Sequence, residues 1–188
     1  MSLRAAAGIA LTAATACYPL ALWWALRNGM AGAVLWTMAG LMLLRLVICG
    51  VRKSPAALFL LIVMSAAAAA FTLSGSALPA KLYPVFVSLS LLALFGLSLT
   101  GEKCAVQRLA ELRVPEEQRT GFFRLYCRRV TEAWCVFFVL NGSVALSTCF
   151  MSDRAWALWN GLISYILIGC MFACEFAVRI WLRMRERI

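Results

Sequence analysis

The chain has 188 residues, of which 64% are hydrophobic and 14% charged. A soluble domain of this size carries roughly 45–50% apolar and about 25% charged residues, so the composition excludes a water-soluble fold with one buried core. The net charge of +10 raises nucleic acid as a partner, but the basic residues sit in breaks beside apolar runs rather than along one face. They read as topology determinants, with contact to anionic lipid headgroups as a second role and no nucleic-acid partner.

A membrane-spanning helix needs about 20 mostly apolar residues. Six segments qualify, at about 6–26, 31–50, 56–74, 83–100, 133–151 and 156–178. The expected fold is therefore all-α, a single polytopic bundle of six transmembrane helices over 1–188. In the first segment, "LTAATAC" at 11–17 has the small residues of a signal-peptidase or lipoprotein site. Apolar sequence continues through Cys17 to Leu26, so the stretch is read as an uncleaved span. Short breaks follow at "RNGM", "VRKSP", "GSALPAKLYP" and "SDRA", each with turn-forming or charged residues. The third segment holds "SAAAAAF", whose small side chains let helices approach closely. Tyr83, Trp134 and Trp156, with Trp23, Trp24 and Trp181, fall near the span ends, where aromatic rings sit at headgroup level.

The connection at 101–132 is long and holds most of the charge. It reads as two short helices. "EKCAVQRLAELRV" spaces Val106, Leu109 and Leu112 by three, with Arg108 and Glu111 on another side. "PEEQRTGFFRLYCRRV" opens on Pro115, Glu116 and Glu117, which suit a helix start. It then interleaves Phe122, Phe123 and Tyr126 with arginines, as a helix in the headgroup region would, or as a solvated linker with an amphipathic lead-in to the fifth span would. Orientation follows from Lys and Arg. With a cytoplasmic N-terminus, fourteen fall inside and three outside (Arg27, Lys81 and Arg154), while Arg45 lies within a span. Both termini are expected in the cytoplasm, and the long connection with them.

Polar residues inside a bilayer are costly and point to function or to helix contacts. Arg45 in the second span either snorkels to the headgroups or meets Glu175, which lies at similar depth in the sixth. Glu175 also stands four residues before Arg179, at helical pairing distance. Glu132 follows Arg128 and Arg129 at helical spacing and marks where the fifth helix leaves the headgroups. Asn141 lies roughly 13 Å further in, near the bilayer middle. Its amide either bonds a neighbouring helix or lines a cavity or substrate path.

The eight cysteines form no CxxC, and there is no histidine. No metal site or cofactor is expected, and the thiols read as small buried hydrophobes. Nor is there a P-loop or a GxSxG, so no catalytic residue is assigned and the chain is not expected to be an enzyme.

"RRVTEAWCVFF", followed after a turn by "SDRAWALWNGL", resembles the bacterial intracellular septation protein A (YciB-like) family of inner-membrane proteins. The family's basic pair, Ala-Trp and Phe pair match Arg128, Arg129, Ala133, Trp134, Phe137 and Phe138. The family's Phe-Lys pair after the turn is missing, since Trp159, Asn160 and Gly161 follow Trp156 here. "KLYPVFVSLSLLALFGLSL" and "RRVTEAWCVFFVLNGSVAL" are similar to an uncharacterised branch encoded near acyl-carrier and ketosynthase genes of aryl-polyene-type clusters. The resemblance implies a place in envelope upkeep at the bacterial inner membrane. Three roles follow: a partner- or lipid-binding scaffold, a transporter or flippase of a lipid or acyl product, or the membrane component of an acyl-processing complex. The partners would be anionic lipids and envelope-biogenesis or acyl-biosynthesis proteins.

Overall fold

The computed structural model describes residues 17–49, 55–112, 114–116 and 119–185. Its helices are α1 (Tyr18–Arg27), α2 (Ala31–Cys49), α3 (Pro55–Ser74), the single turn α4 (Leu78–Lys81), α5 (Tyr83–Leu99), α6 (Ala105–Glu111), α7 (Gly121–Cys149), α8 (Asp153–Leu158) and α9 (Ser164–Arg185). A π-helical turn, Trp159–Ile163, joins α8 to α9. No strand occurs among the described residues. Three helical stretches, Leu78–Leu99, Gly121–Cys149 and Asp153–Trp181, are long and apolar enough to cross a membrane. Helices α2 and α3 have 19 and 20 residues and carry shorter apolar stretches, Ala31–Leu44 and Leu61–Ser74. Most of the expected first span, 6–16, lies outside the described residues, as do the "VRKSP" break up to Ser54, Arg113, Glu117 and the last three residues.

The chain forms two compact units. The first holds the residues up to Val87 together with Gly142–Ile163. Its core is set by helical periodicity. In α1, Tyr18, Leu22 and Ala25 are buried, and in α2 so are Ala31, Leu35, Ala39, Met42 and Leu46. Steps of three and four put each set on one face. Helix α3 meets α2 through Met64, Ala67 and Ala68, and Phe71 packs at Gly32. The "SAAAAAF" stretch thus serves close helix packing. Glycines close two of these helices: Gly29 and Gly75 take left-handed backbone, at φ 68° and 67°. Met30 N–H then returns to Ala25 O at 2.8 Å, and Gly75 N–H to Phe71 O at 2.8 Å. At Gly161 in the π turn a Cβ would stand 2.9 Å from Leu20 Cδ2, the end of a half-exposed α1 side chain that would have to shift to make room.

The second unit holds Ser88–Asn141 and the chain from Ser164 onward. In the long connection α6 forms as a short helix, and a short helical turn stands at Glu116, just after Pro115, with Arg119 N–H on Glu116 O at 3.0 Å. The long helix α7 starts at Gly121, with Thr120 Oγ1 accepting from Phe123 N–H at 3.2 Å. From there nothing interrupts the ladder, because no proline follows before Cys149. From Gly121 on, the segment is therefore the start of the long helix α7, as the lead-in reading expects.

Candidate functional site

Asn141 lies within α7, and its amide is engaged on both sides. Ser164 Oγ–H donates to Asn141 Oδ1 at 2.8 Å, and Asn141 Nδ2–H donates to Ser88 Oγ at 3.5 Å. One side chain therefore links α5, α7 and α9. An amide in an apolar bundle must be satisfied by neighbours, and two serines on adjacent helices supply the partners. Replacing Asn141 by leucine is expected to lower stability by about 0.6–2 kcal/mol, the range for interhelical polar bonds. Reversible unfolding in lipid bicelles measures it, and Ser164→Ala should reproduce most of the loss because Ser164 makes the shorter bond.

Glu175 is half-buried and bonds Arg179 one turn on. The Glu175 carbonyl accepts from Tyr126 Oη–H at 3.3 Å, which ties α9 to the start of α7. The side chain of Arg45 lies outside the described residues, so the charge pairing that the structure gives Glu175 is local.

Arg128 and Arg129 share Glu132, with contacts at 3.4 and 3.1 Å. Arg128 also donates to Leu99 O, at the end of α5, at 3.3 Å. Two residues past Glu132, Trp134 is buried against its neighbours. Its ring meets Phe138 and Phe137 at 5.7 Å each and Phe172 of α9 at 4.9 Å, while Phe95 of α5 meets Phe138 at 5.4 Å. The residues of the "RRVTEAWCVFF" stretch thus form a charged collar above an aromatic plug of offset and edge-on rings.

Beside the end of α5 that the collar touches, α6 and the turns around it are cross-linked by polar groups. Lys103 bonds Glu111 at 2.7 Å, Gln107 bonds the other oxygen of Glu111 at 2.8 Å, and Arg119 donates to Glu111 O at 3.0 Å and Val114 O at 3.1 Å. These groups, with Glu102, Glu116 and Arg124, line an open recess of about 490 Å³. The bonds from Lys103 and then Gln107 hold the Glu111 carboxyl below its ordinary value of 4.5. A lowered folded pKa gives stability above the unfolded value that is lost as pH falls through the folded one. The α6 amides are therefore expected to exchange faster only as pH drops below 4.5, and Glu111→Gln should remove that dependence in a hydrogen-exchange titration.

A second polar centre, in the first unit, escapes the pattern of the sequence. Lys81 is buried, and its ammonium meets Asp153 at 2.5 Å. The Lys81 carbonyl accepts from Trp156 Nε1–H at 3.0 Å and from Cys149 S–H at 3.3 Å, and Ala80 O accepts from Tyr18 Oη–H at 2.8 Å. Three side chains from α1, α7 and α8 thus converge on the carbonyls of one helical turn. Tyr83 and Trp156, expected in the interfacial belt, are buried here, with Tyr18 packed on Tyr83 at 4.7 Å. Trp24 and Trp181 are exposed, and Trp23 carries Arg27 over its ring at 5.2 Å. Asn160, in the π turn, is buried and donates to Trp156 O at 2.9 Å and Thr148 Oγ1 at 3.2 Å. A side-chain amide inserted into the ladder is a recognised cause of such a turn. Cys104, Cys127 and Cys149 are buried thiols, whereas Cys170 and Cys174 face outward on α9. No group of residues suited to a metal ion occurs among the described residues.

Compared with family models, curated proteins and solved structures, the chain matches none.

Proposed function

We propose that this chain is a non-enzymatic, six-span protein of the bacterial inner membrane with both termini in the cytoplasm. In this reading it belongs among the septation protein A-like proteins and serves envelope biogenesis as a binding scaffold. The observation that carries the reading is the state of Asn141. Its amide is consumed by Ser88 and Ser164, as a helix tie would be, and Glu175 is likewise taken up by Arg179. Two of the three intramembrane polar candidates therefore have structural partners. The residues that carry the resemblance pack together as collar and plug. The charged segment beside the collar leaves Arg108, Arg124, Arg128 and Arg129 exposed for recognition.

Extraction into native lipid nanodiscs, with mass spectrometry of co-purifying species, tests the proposal. The expected result is stoichiometric recovery of envelope-synthesis or division proteins, lost in Arg128→Gln/Arg129→Gln. Recovery of a single enriched lipid or acyl species, lost instead in Asn141→Leu, would make the chain a carrier and overturn the scaffold reading.

A further inference from the structure

We infer that α6 and the first turns of α7 form an interfacial anchor that seats on an anionic lipid leaflet. The inference rests on the reading of the apolar helices as membrane spans and narrows the proposed binding role to one partner, the bilayer surface.

The level of α6 is fixed by its bonds. Ser98, buried near the end of α5, accepts from Ala105 N–H through its Oγ at 2.8 Å. Helix α6 therefore starts beside the last turn of a helix of spanning length. Arg128 on Leu99 O brings α7 to the same level. Helix α7 has 29 residues, about 43 Å at 1.5 Å per residue. That matches a bilayer with its headgroups, roughly 40–45 Å. Its first turns then lie within the headgroup layer rather than beyond it.

At that level apolar side chains point outward. In α6 it is Gln107 that is buried, while Leu109 is 73% exposed and Leu112, just past the helix end, is 82% exposed. Burying the glutamine and displaying the leucines inverts the pattern of a solvated helix. In α7, Cys127 and Thr131 turn inward, and Phe122 and Leu125 are displayed one turn apart. Down the same helix the exposed residues continue as Val136, Val139 and Leu140, on the part that crosses the membrane. The displayed patch is thus continuous with a lipid-facing surface, and this favours lipid over protein as its occupant. Arg108, Arg124, Arg128 and Arg129, on the same two segments, are exposed, with Arg128 and Arg129 sharing Glu132. Arg108 spends its Nε–H on Lys103 O, a neutral acceptor, and so keeps its charge, whereas Lys103 and Glu111 offset each other. Apolar side chains and guanidinium groups displayed on the same segments fit an interface of acyl chains below phosphates.

Hydrogen exchange on the full-length protein tests the anchor, in nanodiscs of phosphatidylcholine alone or mixed with phosphatidylglycerol. Amides of 105–112 and 121–125 are expected to exchange about tenfold more slowly in the anionic discs, an effect that moderate salt reduces. Arg108→Gln/Arg124→Gln should remove the lipid dependence, and Leu109→Gln/Leu112→Gln should remove the protection in both discs. Unchanged exchange along α5 identifies variants that have kept their fold. Equal exchange in both discs overturns the proposal. So does protection that appears only when a co-purified protein is restored, because the face then belongs to that protein. Either failure leaves the scaffold reading to be judged by its own co-purification test.

Discussion

Trp156→Ala is expected to be among the most damaging single changes in the chain, lowering stability by about 3 kcal/mol. Trp156 is the largest of the fully buried side chains, packed edge-on to Tyr18 at 6.5 Å and bonded through Nε1–H to Lys81 O. Two losses combine. Unfolding in a bilayer returns helices to lipid, so the hydrophobic transfer term is small, but the cavity and the lost packing remain. The second loss is one bond to Lys81 O, which Cys149 S–H alone would then satisfy. Trp156→Phe separates them. It keeps most of the ring and removes only the N–H, and should cost about 1 kcal/mol. Unfolding of the purified protein by graded denaturing detergent in mixed micelles measures both. Equal losses for the two variants would show that the hydrogen bond, rather than the packing, holds this turn.

The contrast between Trp134 or Trp156 and Trp24 shows what a sequence of this kind discloses. All three stand near the ends of apolar segments, where the aromatic belt is expected. Composition gives that position along the apolar segment. It does not fix the direction around the helix, because in lipid the outward face is as apolar as the inward one. Periodicity, the usual guide to the buried face, is therefore weak here. Helix ends and polar insertions were legible for the opposite reason, since each has a strong local cause. The breaks at Gly29 and Gly75, the start of α5 at Tyr83, and Asn141 all follow from residue type. After Pro115 a short turn stands at Glu116, whose carbonyl accepts from Arg119 N–H at 3.0 Å, and the long helix takes its side-chain cap from Thr120, five residues past the proline. Lys81 was invisible because a lysine in a turn reads as a topology signal. Its burial depends on Asp153, 72 positions away, and the partner of a charge across such a distance is a property of the fold.

That pair gives the second large effect, and the asymmetry of its two halves is the test. Lys81 has 10% of its side chain exposed and Asp153 has 50%. Asp153→Asn removes the partner of a charge that water barely reaches. Losing one member of a buried pair costs about 3–5 kcal/mol, and the half-open side of this one should bring the loss to about 2 kcal/mol. Asp153 is also the acid in the first turn of α8, where the helix dipole favours it, so its neutralisation removes a further few tenths of a kcal/mol. Lys81→Met keeps the packing of the stem and leaves the carboxylate facing water, so it should cost about 1 kcal/mol or less. The double variant should be more stable than Asp153→Asn alone, because the methionine removes the stranded ammonium. A double-mutant cycle on the same unfolding assay reads the coupling directly. A positive coupling with the larger single loss at Asp153 would establish the turn at Leu78–Lys81 as an electrostatically held joint. Equal single losses with no coupling would mean that Trp156, Cys149 and Tyr18 hold the turn through its carbonyls, and that the ion pair only occupies the space beside them.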